Sequence, residues 1–349
     1  MTAIVPKIQV YNKKNPKVPT PGMAGRIAVI GAFDSTETEP LFIENLDDAY
    51  EQLGTDKTTY KGVAVLDKLF YGADGIIAVN VTEKSGSTVT TDITTTNLTA
   101  ALAKIKKERF DMLFVADVLT DAFLPIITTF TDERYLNKLP IGYIGCVTGA
   151  DASAYTATAA LNSDACYGLL TQSFSINDNT LTMLESAAYY CGVVASTNIG
   201  ASMTAKQVPD VTALGTTYTF ETGDLGKTLV GLGYTVLNCY DRENRIYEVV
   251  NSEQFNGYDL YINRVRDYVI REFALHDFLG ERNRTATYSE IQQEIDRVKN
   301  RCVKSLDLLA DIEYHLVKKS TKCVDINITK LLFDDIITEI DVYITIEVQ

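Results

Sequence analysis

Histidine is almost missing from the chain, with only His276 and His315 among 349 residues. That is too few for a histidine metal centre, and both sit in stretches that ordinary helix or strand packing accounts for. Cations are also short: 32 Lys and Arg stand against 46 Asp and Glu, a net charge of −14. This excludes a nucleic-acid backbone as partner, because such binding is driven by cationic side chains that release counterions. No apolar run approaches the ~18 residues needed to cross a bilayer, and the opening MTAIVPKIQVYNKK is not a basic-then-apolar leader. The expectation is a protein made and folded in a cytoplasm, with no direct membrane insertion. Six cysteines (Cys146, Cys166, Cys191, Cys239, Cys302, Cys323) are scattered among apolar neighbours without a CxxC pair. They read as reduced core thiols, not as a zinc site or a disulfide framework.

Motifs for phosphate or acyl chemistry are absent too. After the strand-like GRIAVIGAF, a dinucleotide site would need GxGxxG and a phosphate loop GxxxxGK[ST], but Gly31 is followed by Ala32, Phe33 and Asp34. Gly231 and Gly233 are spaced correctly, yet Tyr234, Thr235 and Val236 lead into a strand instead of a helix. No G-x-S-x-G elbow precedes a helix. The acid pairs Asp47 and Asp48, Asp334 and Asp335, and Glu339 and Asp341 read as solvated carboxylates of an acidic surface. The sequence therefore predicts no enzyme activity, no cofactor and no metal.

What is present is α/β rhythm. At 349 residues, 46% hydrophobic and 22% charged, the chain has room for two domains. Residues 25–33 and 75–81 read as buried strands with helices over 46–54 and 61–72 between them. After a Ser/Thr-rich loop at 85–97 come helix LTAALAKIKKE, strand DMLFVAD, helix FLPIITTFTDERY and strand PIGYIGC. This order predicts an open, mostly parallel sheet flanked by helices. The stretch 157–205 reads as helical, with Leu181, Leu184, Ala188 and Cys191 on one face covering the sheet. Beyond Gly223 the pattern predicts helix DLGKTLVGLG, a hairpin YTVLNCYD and RIYEVVNS turning at Asp241 to Asn244, and two amphipathic helices. The first covers about 258–279 (Ile262, Val265, Val269, Phe273) and the second about 288–311 (Ile291, Ile295, Val298, Cys302, Leu306, Leu309).

The two ends are extended. Residues 4–11 alternate, with Ile4, Ile8 and Val10 on one face and Val5 on the other, and Pro6 restricts the strand to a sheet edge. Asn12, Pro16, Pro19, Pro21 and Gly22 form an uncompacted tether that also carries Lys13, Lys14 and Lys17, read as solvated. The chain closes on TEIDVYITIEVQ, where Ile340, Val342, Ile344, Ile346 and Val348 share one face. Each end is either a strand of its own domain or one added to another sheet. The expected divisions are an arm and linker at 1–22, an α/β body at 23–222, a C-terminal α+β domain at 223–338 and a terminal arm strand at 339–349.

The joint order of PGMAGRIAVIGAF, PLFIENLDDAYEQLG, KGVAVLDKLFYGADGIIAVNV, VVASTNIGASMTAKQVPDVTAL, LGYTVLNCYDRENRIYEVV, YINRVRDYVIRE and ITEIDVYITIEV resembles the contractile tail sheath family over nearly the whole chain. At this length the chain is similar to the shorter members. The resemblance implies a non-enzymatic subunit that assembles in a host cytoplasm and ends in a virion tail or a released phage-tail-like particle. It implies self-association as stacked six-fold rings around a tail tube, with baseplate and tail terminator proteins as further partners. It further implies that Ile4, Val5, Ile8 and Val10 at one end, and Ile340, Val342, Ile344 and Ile346 at the other, are exchanged between subunits. Residues 12–24 are then the hinge. An α/β enzyme, or another tail component such as a tube or baseplate protein, is the competing reading.

Overall fold

A computed structural model describes residues 25–85, 88–241, 246–275, 285–320 and 323–333. Both terminal arms, with the exchange and hinge residues named above, lie outside the described residues. So do His276, Asp334 and Asp335.

The first half is the expected α/β body. β1 (Arg26–Gly31), β2 (Leu41–Ile43), α1 (Leu46–Leu53), α2 (Lys61–Leu69) and β3 (Gly75–Asn80) are followed by a small hairpin, β4 (Glu83–Ser85) and β5 (Thr88–Thr90). Next come α3 (Thr95–Lys104), β6 (Met112–Val115), α4 (Leu124–Leu136), β7 (Gly142–Cys146), α5 (Ala152–Ala159) and β8 (Cys166–Leu170). The sheet runs β2-β3-β1-β6-β7-β8, parallel throughout except for the antiparallel edge strand β2. Its strands are apolar along their length because helices cover both faces; Ile27, Ala28, Val29 and Ile30 are fully buried. Helix starts follow local capping: Asn45 accepts from the Asp48 amide, and Thr94 and Asn97 form a reciprocal box. Asp47 and Asp48 thus sit in the first turn of α1, where the helix dipole favours negative charge.

The stretch 157–205 corrects the expectation. Only α6 (Met183–Ser196) is a long helix there; it follows β8, β9 (Phe174–Ile176) and β10 (Asn179–Thr180), and Leu181 precedes it. β8 is buried on both faces and so shows no period that distinguishes it from helix. α6 packs against α2 and the sheet. The approach is close: a Cβ on Gly72 would lie 2.0 Å from the Gly192 carbonyl oxygen.

β11 (Val211–Leu214) joins β9 and β10 in a three-stranded sheet, and α7 (Leu225–Gly231) leads to the hairpin β12 (Leu237–Asp241) and β13 (Ile246–Val249) at the expected place. Leu229, Tyr234, Val236 and Val249 belong to the same core as the large sheet.

A second core begins at α8 (Leu260–Leu275), whose Val265, Val269 and Phe273 meet Ile295 and Val298 of α9 (Thr285–Asn300). The second helix is shorter than its pattern implies. A π-turn (Arg301–Ser305) ends it, and Leu306 and Leu309 follow that turn, with Leu308 and Leu309 packing back on the same core. The chain then forms a hairpin that the sequence pattern did not reveal, β14 (Asp311–Ser320) and β15 (Cys323–Leu332).

Candidate functional site

The β14–β15 hairpin has the properties of a contact site. Each strand is ten residues long, and among the described residues neither has another strand beside it. Ile312 is buried, and Tyr314, Leu316, Ile328 and Leu331 pack against the α8–α9 core, while Glu313, His315, Thr329 and Lys330 are exposed. The pairing slips between Glu313 and Tyr314, where Thr329 is the extra residue. Isolated two-stranded sheets are marginal in water, so this one depends on what covers it. α9 supplies part of that cover: the Tyr314 hydroxyl donates to Asp296 Oδ1 at 2.6 Å, and Lys299 pairs with Asp311 at 2.7 Å. Burial, then the bond to Asp296, pushes the Tyr314 phenol up to about 12. A groove of about 540 Å³ opens between α9 and β14, lined by Gln292, Asp296, Lys299 and Tyr314 among others. Two long strand edges on one helix-backed hairpin are templates for added strands.

The place where open α/β sheets hold nucleotides is filled by the chain itself. Strand order reverses at β1, and the residue that would face a phosphate there, Phe33, is fully buried. Its amide donates to Asn80 Oδ1 at 3.1 Å, and the Gly62 amide at the start of α2 donates to the Ala32 carbonyl at 2.9 Å. The thiols are equally occupied by packing: Cys146, Cys166, Cys191 and Cys302 are buried, and burial pushes all four up, Cys146, Cys166 and Cys302 to about 12.

The hairpin unit is mounted on the body through α8, and the mounting is polar. Arg264, Asp267 and Arg271 recur at steps of three and four, beside the apolar stripe that faces α9. The Tyr167 hydroxyl on β8 donates to Asp267 Oδ2 at 2.7 Å, and Arg266 Nε reaches Asp267 Oδ1 at 2.9 Å. Tyr167 can stand there only because Gly142 lies beneath it, where a Cβ would be 2.1 Å from the ring. Arg271 pairs with Asp111 at 3.0 Å and donates to the Pro140 carbonyl at 2.8 Å. Arg264 donates to the Thr197 and Asn198 carbonyls at 2.9 and 3.3 Å, at the C-terminal end of α6. Just before α8, Asp259 Oδ2 accepts from Ser202, Thr204 and Ser252 at 2.8, 3.1 and 2.6 Å. None of these contacts was anticipated; the three- and four-residue spacing of charge was the only available signal.

Asp267 gives this seam a pH signature. Burial holds its carboxyl above the usual range, outweighing Arg266 and the Tyr167 hydroxyl. The folded protein therefore binds that proton more tightly than the unfolded chain does. The associated stability is complete below a pH of about 3.9 and is lost as pH rises through the raised folded value. Measured against Asp267→Asn, which cannot titrate, the parent protein should gain thermal midpoint steadily from pH 7 to pH 4. Calorimetry of both across that range checks this, and a relative loss on acidification would refute it.

The sequence matches no protein-family model and no curated protein. Solved structures do match. The sheath tail protein from Desulfitobacterium hafniense superposes with a TM-score of 0.65 at 11% identity, over 88% of this chain and 93% of its own. The sheath tail protein from Listeria innocua gives 0.64 at 13% identity, over 85% and 89%. A chain of the anti-feeding prophage helical sheath in the contracted state gives 0.65 at 14% identity, over 99% of each. At these identities the likeness is one of fold, and the chain has the tail sheath fold.

Proposed function

We propose that this chain is a structural subunit of a contractile tail sheath, which polymerises as stacked six-fold rings around a tail tube and shortens to drive the tube through a target cell envelope. The observation that carries this is the likeness to a helical sheath chain along 99% of both molecules. The open hairpin supports it as the place where neighbouring subunits join. In this reading Ile4, Val5, Ile8 and Val10 of one copy, and Ile340, Val342, Ile344 and Ile346 of another, add strands to the exposed edges of β14 and β15. Asn12, Pro16, Pro19, Pro21 and Gly22 let the link bend while the mesh persists. The arm at 1–22 and the terminal strand at 339–349 then do the linking, while the body and the C-terminal domain, whose cores meet at α8, fill the sheath wall.

No cofactor or turnover enters this scheme. Two packings of rigid subunits that differ by a few kcal/mol each sum along a polymer to a large, irreversible release. Tube, baseplate and tail terminator proteins are the expected partners besides further copies of the chain. Assembly takes place in the host cytoplasm, and the mature form resides in a virion tail or phage-tail-like particle. Negative-stain microscopy of the purified protein should reveal tubular polymers. A soluble monomer whose melting shifts with a small-molecule ligand would point instead to an α/β enzyme.

A further inference from the structure

We propose that the polar contacts along α8 are an orientation lock, which fixes one angle between the hairpin unit and the α/β body and contributes little to net stability. The lock is a property of the monomer, independent of whether the protein forms tubes.

Two apolar cores meet at α8, and an apolar seam between them would be non-directional, free to slide by small repacking steps. Besides the apolar contact of Ile199, which follows α6, with the second core, the seam carries directional bonds to separate anchors. Asp259 holds the segments around Ser202 and Ser252, Arg264 holds the end of α6, Asp267 holds β8 through Tyr167, and Arg271 holds the entries to β6 and β7 through Asp111 and Pro140. From Arg264 to Arg271 the anchors on α8 span about 10 Å of helix at ~1.5 Å per residue, and Asp259 adds a further anchor ahead of the helix. Bonds to several separate points over that length leave no rotation or register shift that keeps all of them.

Stability does not account for such an arrangement. Buried ion pairs roughly break even against well-packed apolar residues, and their best attested advantage is a unique arrangement. Arg264, 1% exposed, also leaves its Nε without an acceptor among the described residues. A seam selected for stability alone would not bury that group.

The test measures orientation and stability together. Spin labels go on Thr99→Cys in α3 and Lys330→Cys in β15, both exposed positions, with Cys239 and Cys323 replaced by Ser. In the parent background the interlabel distance should be single and narrow. With Asp111→Leu and Arg271→Met the distribution should broaden or split, while the thermal midpoint stays within a few degrees of the parent. A distribution as narrow as the parent's would overturn the lock, and so would loss of folding, since the pair would then be a stability element. Arg264→Met gives a second reading that leaves Asp111 and Arg271 intact. Broadening at an unchanged midpoint supports the proposal, and an unchanged distribution counts against it.

Discussion

Deleting residues 1–20 should abolish tubes and leave a folded monomer whose melting is close to that of the parent. The fold described from Gly25 onward closes on itself without that segment: the Asp74 amide donates to the Gly25 carbonyl at 2.8 Å, and β1 is paired on both sides by β3 and β6. The deletion removes Ile4, Ile8 and Val10 from whatever sheet they join, and the tether isolates the loss from the body. At the other end, Ile344→Asp would place an unpaired carboxylate on the inward face of a docked strand, at roughly 3–5 kcal/mol. A strand-addition contact cannot absorb that, so assembly should fail while circular dichroism and solubility stay near those of the parent. Sedimentation and electron microscopy of both variants decide the matter. Normal tubes from either would mean that its terminal strand is no essential link. Loss of monomer folding would mean that the strand belongs to its own subunit's core.

The α/β half was legible because parallel strands buried on both faces read as aliphatic runs and the helices between them carry local caps and stripes. β1, β3, β6 and β7 were found where Gly/Pro or charged residues bracket such runs. β8 was not, although Asn162 to Asp164 and Thr171 to Ser173 bracket it, because Cys166 to Leu170 is a short run without alternation that lies between helix-like segments and was absorbed into them. The β14–β15 hairpin escaped notice for a different reason. Leu306 and Leu309 continue a helical spacing past the π-turn that ends α9, so the pattern runs on where the backbone does not. The Val324, Ile326 and Ile328 alternation was the available clue to β15. The seam was hidden by a more general ambiguity. Arg264, Asp267 and Arg271 on an amphipathic helix have the spacing of a solvated face, and only the neighbouring unit, brought there by tertiary packing, turns that face into an interior one.

Replacing Arg134 by Ala should produce a large loss of stability. This arginine is 1% exposed, yet it lies at the end of α4 with no carboxylate bonded to it among the described residues; carbonyl oxygens surround it instead. Nε donates to Leu139 at 3.1 Å, Nη1 to Ile105 and Lys106 at 3.1 and 2.9 Å, and Nη2 to Glu108 at 2.9 Å. Its guanidinium also lies 4.3 Å from the Phe110 ring centroid. One side chain thus closes the loop after α3 and the turn after α4, both leading into strands of the large sheet. Burial, then the charge of Arg271, lowers its affinity for the proton to a value of about 10, so it remains charged at neutral pH. Truncation to Ala would take a donor from four carbonyls, of which Ile105 keeps the Glu108 amide, and open a cavity against Phe110 and Phe130, for about 3–5 kcal/mol. At the sensitivity of domains of this size, ~2–4 °C per kcal/mol, the thermal midpoint should fall by roughly 10 °C. Arg134→Lys should recover only a fraction, because a single ammonium cannot reproduce a planar fork that spans four acceptors. Scanning calorimetry of the three proteins tests the account. Full recovery in the Lys variant would mean that charge, not the geometry of the fork, holds the two loops together.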